Sequence, residues 1–351
     1  MGAIALPPDA IAPPNLTYTA DTEAGYTRVR KGRGFAFLDA EGKYIKNEHE
    51  LERLRGLGIP PAYTDVWICS AADGHLQATG RDERGRKQYL YHPDWTDYRN
   101  RTKFYRLLQF GQNLPLIRET VERDLRQRKW TKTKVLALVT SLLDESFIRI
   151  GNMTYVRQNK TFGLTTLRRK HIHEEGKSIT FEYKAKSGKN RKVKIQNRRL
   201  ARLVKQCAEL PGYEVFKYWD EDGERHRIDS QDVNHYLNEI TGQSFTAKDF
   251  RTWGGSTLAL LRLEEACDEV STHPRKKLQQ CLVKKVAELL GNTVAVCREY
   301  YIHPAVLQAV EDGTVADFMQ QGQRKYRRYE DYLKPEEMQL MAIMEAEAHA
   351  A

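Results

Sequence analysis

Short strand-like runs dominate the first quarter of the chain. Residues 34–38, 66–69, 76–79 and 88–91 carry apolar or β-branched side chains, and Gly-containing turns such as Asp73-Gly74 and Arg84-Gly85 separate them. Within 47–57, Leu51 and Leu54 fall three apart, which predicts a helix stopped by Gly58. The stretch 27–91 thus predicts a small antiparallel sheet carrying one helix. After His92-Pro93 the period changes, and the polar, aperiodic residues 94–101 read as a boundary. Over 132–147, Val135, Val139, Leu142 and Leu143 form one stripe at helical spacing. Ile179, Phe181 and Tyr183 alternate, Ser187-Gly188 turns the chain, and Val193 and Ile195 alternate again, which predicts a β-hairpin. Leu200, Leu203, Val204 and Cys207 return to helical spacing. So do Val233, Tyr236, Leu237 and Ile240 behind Ser230 as a cap, and Leu278, Leu282, Val286 and Leu289 ahead of a closing Gly291. Residues 335–351 predict a last helix. The proline-rich first 25 residues lack such a pattern and predict a mobile arm. The expected class is α+β: an arm (1–25), a β-rich N-terminal domain (26–95) and a larger, mainly helical domain with a short sheet (96–351).

A chain of 351 residues, 40% hydrophobic and 10% aromatic, is long enough for two buried cores. Charge changes the picture more. Fifty-seven Lys and Arg against 47 Asp and Glu leave a net +10, which points to a polyanionic partner, nucleic acid first and anionic membrane second. No apolar run approaches the roughly 20 residues of a membrane span. The first residues lack the positive region of a secretory signal, and Leu6 stands where myristoylation of Gly2 requires Ser or Thr. Five widely spaced cysteines with no CxxC argue against structural zinc and a disulfide framework, so a reduced, cytosolic protein is expected.

Several short signals carry little. Gly32-x-Gly34 lacks the third glycine of a dinucleotide loop. Asp220-Glu221-Asp222-Gly223 looks like part of a calcium loop but lacks glycine at the sixth position, and a hairpin turn accounts for it better. His171 and His173 lack a third ligand nearby and read as surface or sheet histidines. No acidic cluster stands at magnesium-binding spacing. The run 184–205 is stronger. It holds ten positive residues and no acidic one, crosses the predicted hairpin and enters a helix, so a folded scaffold fixes its charge as a phosphate backbone requires.

Five positions then form an ordered set. Arg149 ends an amphipathic helix, Lys186 lies at the hairpin turn, Arg251 stands near a helix start in Lys248-Asp249-Phe250-Arg251, and Asn292 precedes Tyr301 by nine residues. This order resembles the catalytic set of poxvirus-type (type IB) DNA topoisomerases and their compact bacterial relatives. The resemblance runs from about Lys31 to the early 320s. It includes 85–91 (Gly-Arg-Lys-Gln-Tyr-Leu-Tyr), Arg149-Ile150-Gly151, Tyr155 and 162–167 (Phe-Gly-Leu-Thr-Thr-Leu).

The resemblance implies a tyrosine recombinase/type IB topoisomerase-like fold and transient single-strand cleavage of duplex DNA through a 3′-phosphotyrosyl intermediate, with neither ATP nor metal and no cofactor. It implies Tyr301 as nucleophile, Arg149 and Arg251 as phosphate clamps, Lys186 as general acid, and Asn292 as hydrogen-bond donor where the family usually has His. Arg86, Gln88, Tyr89, Tyr91, Gly151 and Tyr155 are the implied DNA contacts. The chemistry is consistent with those residue types. Two guanidiniums match the charge growing on the non-bridging oxygens of a phosphodiester under attack. A phenol with a pKa near 10 needs neighbouring cations to ionise, and an Asn amide donates a hydrogen bond but does not titrate. Tyr300 is the alternative nucleophile, and Lys184 and Lys189 compete with Lys186. The partner is double-stranded DNA, clamped by a monomer in the cytoplasm at the nucleoid. Two other readings remain: a tyrosine site-specific recombinase, which usually has His where Lys248 stands, and a non-catalytic architectural DNA-binding protein.

Overall fold

A computed structural model describes residues 15–350, apart from residues 84, 274 and 276. The chain divides into two units, Met1–Tyr105 and Arg106–Ala351.

In the first unit, β1 (Tyr26–Lys31) and β2 (Gly34–Leu38) form a hairpin in which Lys31 pairs with Gly34 and Gly32 takes φ +58°. The Gly32-x-Gly34 pair is therefore a tight turn, where a left-handed residue costs least as glycine. α1 (Glu48–Gly56) follows, capped by Asn47, whose side chain accepts from the Glu50 amide at 3.1 Å. β3 (Thr64–Ile68), β4 (Leu76–Arg81) and β5 (Lys87–Tyr91) complete an antiparallel sheet of order β2-β1-β3-β4-β5. Phe37, Val66, Ile68 and Ala78 meet Leu54 of α1 as the core, with Leu51 packed beside it.

Residues 1–14 of the expected arm lie outside the described residues. From Thr17 onward the segment is bound to this sheet rather than free. The Thr17 amide donates to the Asp73 carbonyl at 3.0 Å, Thr79 donates to Asp21 at 2.9 Å, and the Trp67 indole donates to the Glu23 carbonyl at 3.0 Å.

The largest departure from the sequence reading is α2 (Pro93–Leu125), 33 residues long. Residues 94–101, read as an aperiodic boundary, are helical. Their inward side chains are aromatic rather than aliphatic: Trp95 meets His75 at 5.1 Å and Tyr18 at 5.3 Å, and Tyr98 lies 5.6 Å from Trp95. An aliphatic-stripe criterion misses such a turn. Further along α2, Leu107, Phe110, Leu114, Ile117 and Val121 are buried at alternating spacings of three and four, the stripe of a core helix in the second unit.

The second unit packs α2 residues beyond Tyr105 with α3 (Lys132–Ser146), in which Val135, Val139, Leu142 and Leu143 are fully buried. After α4 (Met153–Asn159) come β6 (Ile172–Glu175), β7 (Ser178–Lys184) and β8 (Asn190–Ile195), an antiparallel sheet of order β6-β7-β8. Ile179, Phe181 and Tyr183 point inward as the alternation predicts, and Ser187 (φ +65°) with Gly188 (φ +75°) makes the turn. α5 (Arg198–Glu209) follows, then the hairpin β9 (Lys217–Trp219) and β10 (Arg225–Arg227). The acidic run at 220–224 is the turn of that hairpin, closed by the Asp220 amide donating to the Glu224 carbonyl at 3.1 Å. α6 (Ser230–Thr241) is capped by Asp229, one residue before the expected Ser230, because the Asp229 carboxylate accepts from the amides of Gln231 and Asp232.

The rest is helical: α7 (Ala247–Leu261), α8 (Leu263–Thr272), α9 (Leu278–Leu290), α10 (Val294–Tyr300), α11 (Pro304–Glu311), α12 (Val315–Tyr326) and α13 (Pro335–Ala350). Phe245 and Phe250 each meet Phe110 edge-on, at 5.3 and 5.0 Å. Arg118 of α2 bridges Asp144 of α3 at 2.7 Å and Glu337 of α13 at 2.6 Å, and the Trp253 indole donates to Glu337 at 2.9 Å. Four helices are thus tied by one largely buried cation with satisfied partners.

Candidate active site

The site begins where α3 ends. Phe147 takes a left-handed conformation (φ +53°), unusual for a bulky residue, and reverses the chain into Arg149. Gly254 of α7 receives the Phe147 ring; a Cβ there would lie 2.4 Å from it. The Arg149–Gly151 segment is then pinned by the 162–167 motif. Amides of Leu164 and Thr165 donate to the carbonyls of Arg149 and Ile150 at 2.8 and 2.7 Å. Gly151 (φ +94°) crosses Gly163 so closely that a Cβ on Gly163 would lie 2.5 Å from the Arg149 carbonyl oxygen. The motif thus has a packing cause: it fixes the backbone that carries Arg149.

Arg251 lies in the second turn of α7 and is 4% exposed. Its guanidinium donates to the Phe147 carbonyl, to the Leu290 carbonyl at 2.9 Å and to Asn292 Oδ1 at 3.5 Å. Asn292 follows Gly291, the left-handed cap of α9, and its amide donates to Ala287 O at 2.9 Å. Its Oδ1 also accepts from Arg149. One neutral oxygen therefore sits between two guanidiniums and fixes the amide orientation, since the opposite flip would aim N–H at N–H.

Tyr301 caps α10, donating its amide to Cys297 O at 3.0 Å, and its ring lies 5.2 Å from the Arg251 guanidinium carbon. Gly255, four residues past Arg251, makes room for it: a Cβ there would lie 2.2 Å from the Tyr301 carbonyl oxygen. Ser256 accepts the His303 amide at 2.9 Å, holding the next turn of chain. The neighbouring Tyr300 is engaged by Glu299, whose carboxylate raises the Tyr300 pKa. Tyr301 and not Tyr300 thus faces the cations.

The electrostatics suit an anion. Burial, then the Arg149 charge, lowers the Arg251 pKa to about 10, and burial lowers that of Arg149. Both stay charged at neutral pH, and among the described residues neither has an ion pair. Arg251 Nε and Asn292 Nδ2 are buried donors with no partner among the described residues. Buried N–H groups are rarely left unpaired without a reason.

Lys186 and Tyr155 stand on other elements of the same unit. Lys186 is exposed at the β7–β8 turn. Tyr155 on α4 is 59% exposed. In the first unit Tyr89 is 53% exposed and stacks on Tyr91 with centroids 6.3 Å apart. Arg86 pairs with Asp82 at 2.7 Å, and Gln88 donates to the same carboxylate at 2.9 Å. The basic run at 184–205 is not a uniform stripe. Lys194 pairs with Glu175, Lys205 with Glu174 and Arg199 with Glu122, and Arg191 binds backbone carbonyls of α9. His171 is buried against Phe162 at 4.4 Å, which with nearby cations pushes its pKa down to about 4. Sequence reasoning missed Gly254 and Gly255; the only signal was a glycine pair inside a helical stretch.

Two family models match the chain. One described as the eukaryotic DNA topoisomerase I catalytic core covers residues 92–328, and one described as the bacterial DNA topoisomerase IB N-terminal domain covers residues 34–82. The chain is 30% identical over 295 residues to DNA topoisomerase 1B of Acanthamoeba polyphaga mimivirus, covering 82% of this chain and 88% of that protein. It is 24% identical over 272 residues to DNA topoisomerase 1B of vaccinia virus (strain Copenhagen), covering 76% and 83%. Among solved structures, the XerH site-specific recombinase in a post-cleavage complex superposes with a TM-score of 0.37 and 14% identity over 59% of this chain and 51% of that one, too loose to argue from. The helical unit, with Arg149, Arg251, Asn292 and Tyr301 in order, is matched by the topoisomerase catalytic-core model. The chain belongs to the type IB DNA topoisomerase family.

Proposed function

We propose that this enzyme relaxes supercoiled duplex DNA through transient cleavage of one strand, with Tyr301 as nucleophile. The observation that supports the residue assignment is the pair of buried donors, Arg251 Nε and Asn292 Nδ2, that have no partner among the described residues, beside a tyrosine ring and two guanidiniums with no ion pair among those residues.

In the proposed step the Tyr301 oxygen attacks the phosphorus and its proton leaves to solvent. A Tyr–O–P bond forms at the 3′ end, and the bond from phosphorus to the 5′ oxygen breaks. Lys186 gives that oxygen a proton. Arg149, Arg251 and the Asn292 amide hold the non-bridging oxygens, where charge grows. One phosphoester replaces another, so religation follows the same path backwards and needs no ATP. While the nick is held, torsion in the DNA turns the free end about the intact strand. Arg86, Gln88, Tyr89 and Tyr91 of the first unit, with Gly151 and Tyr155 of the second, are the proposed duplex contacts. The enzyme acts as a monomer on the nucleoid.

The test is relaxation of supercoiled plasmid in EDTA without nucleotide. Wild type is expected to relax it, and Tyr301→Phe to lose both relaxation and the covalent protein–DNA band while still binding DNA. A covalent band that persists in Tyr301→Phe refutes the assignment.

A further inference from the structure

We infer that Arg191, on β8, is a positioning residue that latches the Lys186 hairpin to the turn carrying Asn292. The inference rests on the function proposed above. It stands on geometry that the five-residue set leaves unused.

Arg191 lies five residues beyond Lys186 and pairs in register with Tyr183 on β7. Its guanidinium leaves the hairpin and donates to two successive carbonyls at the end of α9: Glu288 O at 3.1 Å and Leu289 O at 2.6 Å. Arg251 takes the next carbonyl, Leu290 O. Three consecutive helix-end acceptors are thus filled by one arginine from the hairpin and one from the phosphate site. A helix C-terminus favours cations there. The fit is close, since a Cβ on Gly291 would lie 2.8 Å from the Arg191 Nη1. Asn292 is the next residue.

At the other end of this short arm the hairpin closes tightly. Lys184 pairs with Asn190, and the Ala185 amide donates to the Lys189 carbonyl at 2.7 Å. Lys186 itself is exposed, and among the described residues it has no hydrogen bond or ion pair to hold it. Its place relative to Arg149, Arg251 and Asn292 is therefore set by the hairpin backbone, and Arg191 joins that backbone to theirs. Among the ten positive residues of the run, Arg191 spends its donors on this junction, whereas a residue serving only a DNA phosphate would present them to solvent.

The experiment compares single-turnover cleavage of two DNA substrates. One has the ordinary phosphodiester. In the other, sulfur replaces the bridging 5′ oxygen, so the leaving group departs without a proton. If Arg191 acts through Lys186, Arg191→Gln slows cleavage of the ordinary substrate by about 10- to 100-fold, the cost of misplacing a reacting group by an ångström or less. It slows the sulfur substrate by no more than about threefold, because proton donation no longer limits it. Arg191→Lys, which keeps the charge and can reach one carbonyl, falls between. Equal losses on both substrates, or an undiminished rate on the ordinary one, overturn the proposal. Should Arg191→Gln fail to fold, Arg191→Lys carries the same two-substrate comparison with the same criteria. Wild type that forms no adduct on either substrate instead removes the function on which the inference rests.

Discussion

Gly255→Ala separates where Tyr301 sits from what it does. The added Cβ would lie 2.2 Å from the Tyr301 carbonyl oxygen, 2.8 Å from its carbonyl carbon and 2.9 Å from its Cβ. Ordinary contact begins at 3.4 Å, so that oxygen must retreat by 1.2 Å. No rotamer change relieves a clash with backbone. Alanine in a helix interior is favoured over glycine by up to ~1 kcal/mol, which offsets part of the repacking cost, so the variant folds. A shift of about 1 Å at a reacting group costs on the order of 100-fold in rate. Single-turnover adduct formation on a strand that cannot religate is therefore expected to slow by about 100-fold. DNA affinity should stay near wild type, and the melting temperature should move by a few degrees, since ~1 kcal/mol is worth about 2–4 °C in a unit of this size. An adduct rate within about threefold of wild type would refute the claim that the bare helix backbone seats the nucleophile. A collapse of the fold, seen as a melting temperature lowered by more than about 10 °C, would refute it equally.

Three further outcomes follow from the same geometry. Asn292→Ala removes the oxygen between two guanidiniums together with a buried donor, and is expected to slow adduct formation by about 100-fold; a loss below about threefold contradicts that role. Asn292→His adds an imidazole whose pKa two neighbouring cations hold below the usual value of about 6.5, so any new acid limb in the pH–rate profile must lie below that value, and one near neutrality counts against the cluster. Glu337→Ala leaves the largely buried Arg118 with Asp144 as its one carboxylate beside the Tyr332 carbonyl, and strips the Trp253 indole of its acceptor. A cost of about 3–5 kcal/mol is expected, a fall of roughly 10 °C in melting temperature, with adduct formation by the folded fraction unchanged. Arg251 supplies a linkage test. Its folded pKa of about 10 lies below the ordinary arginine value, so the penalty for its charge is full at neutral pH and is relieved only as pH rises above about 10. At pH 7 the whole penalty is present. Inorganic phosphate, by pairing with the cation, should raise the melting temperature of wild type more than that of Arg251→Met; an equal rise in both contradicts the charge argument.

What the sequence disclosed follows from which contacts are local. The β7–β8 hairpin was legible because Ile179, Phe181 and Tyr183 bury one face and Ser187-Gly188 supplies the turn. α3, α5, α6 and α9 were legible as aliphatic stripes. The start of α2 was not, because Trp95 and Tyr98 do the packing that Leu or Val does elsewhere and the residues between them are polar. The candidate residues were legible as an order of chemically suited side chains along the chain, and Arg149, Arg251, Asn292 and Tyr301 meet in the second unit. Why they converge was not legible. The crossing of Gly151 and Gly163, and the seats at Gly254 and Gly255, depend on segments more than ten residues apart meeting without side chains. Arg191 was hidden for a different reason: inside a run of like charges nothing in sequence separates a cation turned toward a helix end from one facing solvent.

Positions 254 and 255 carry no side chain, yet they seat Phe147 and Tyr301 in turn. Through volume it leaves empty, α7 thus sets the geometry of the proposed chemistry. A redesign that kept Arg149, Lys186, Arg251, Asn292 and Tyr301 but rebuilt this helix from stronger helix formers would yield a sturdier scaffold with its reagents out of line.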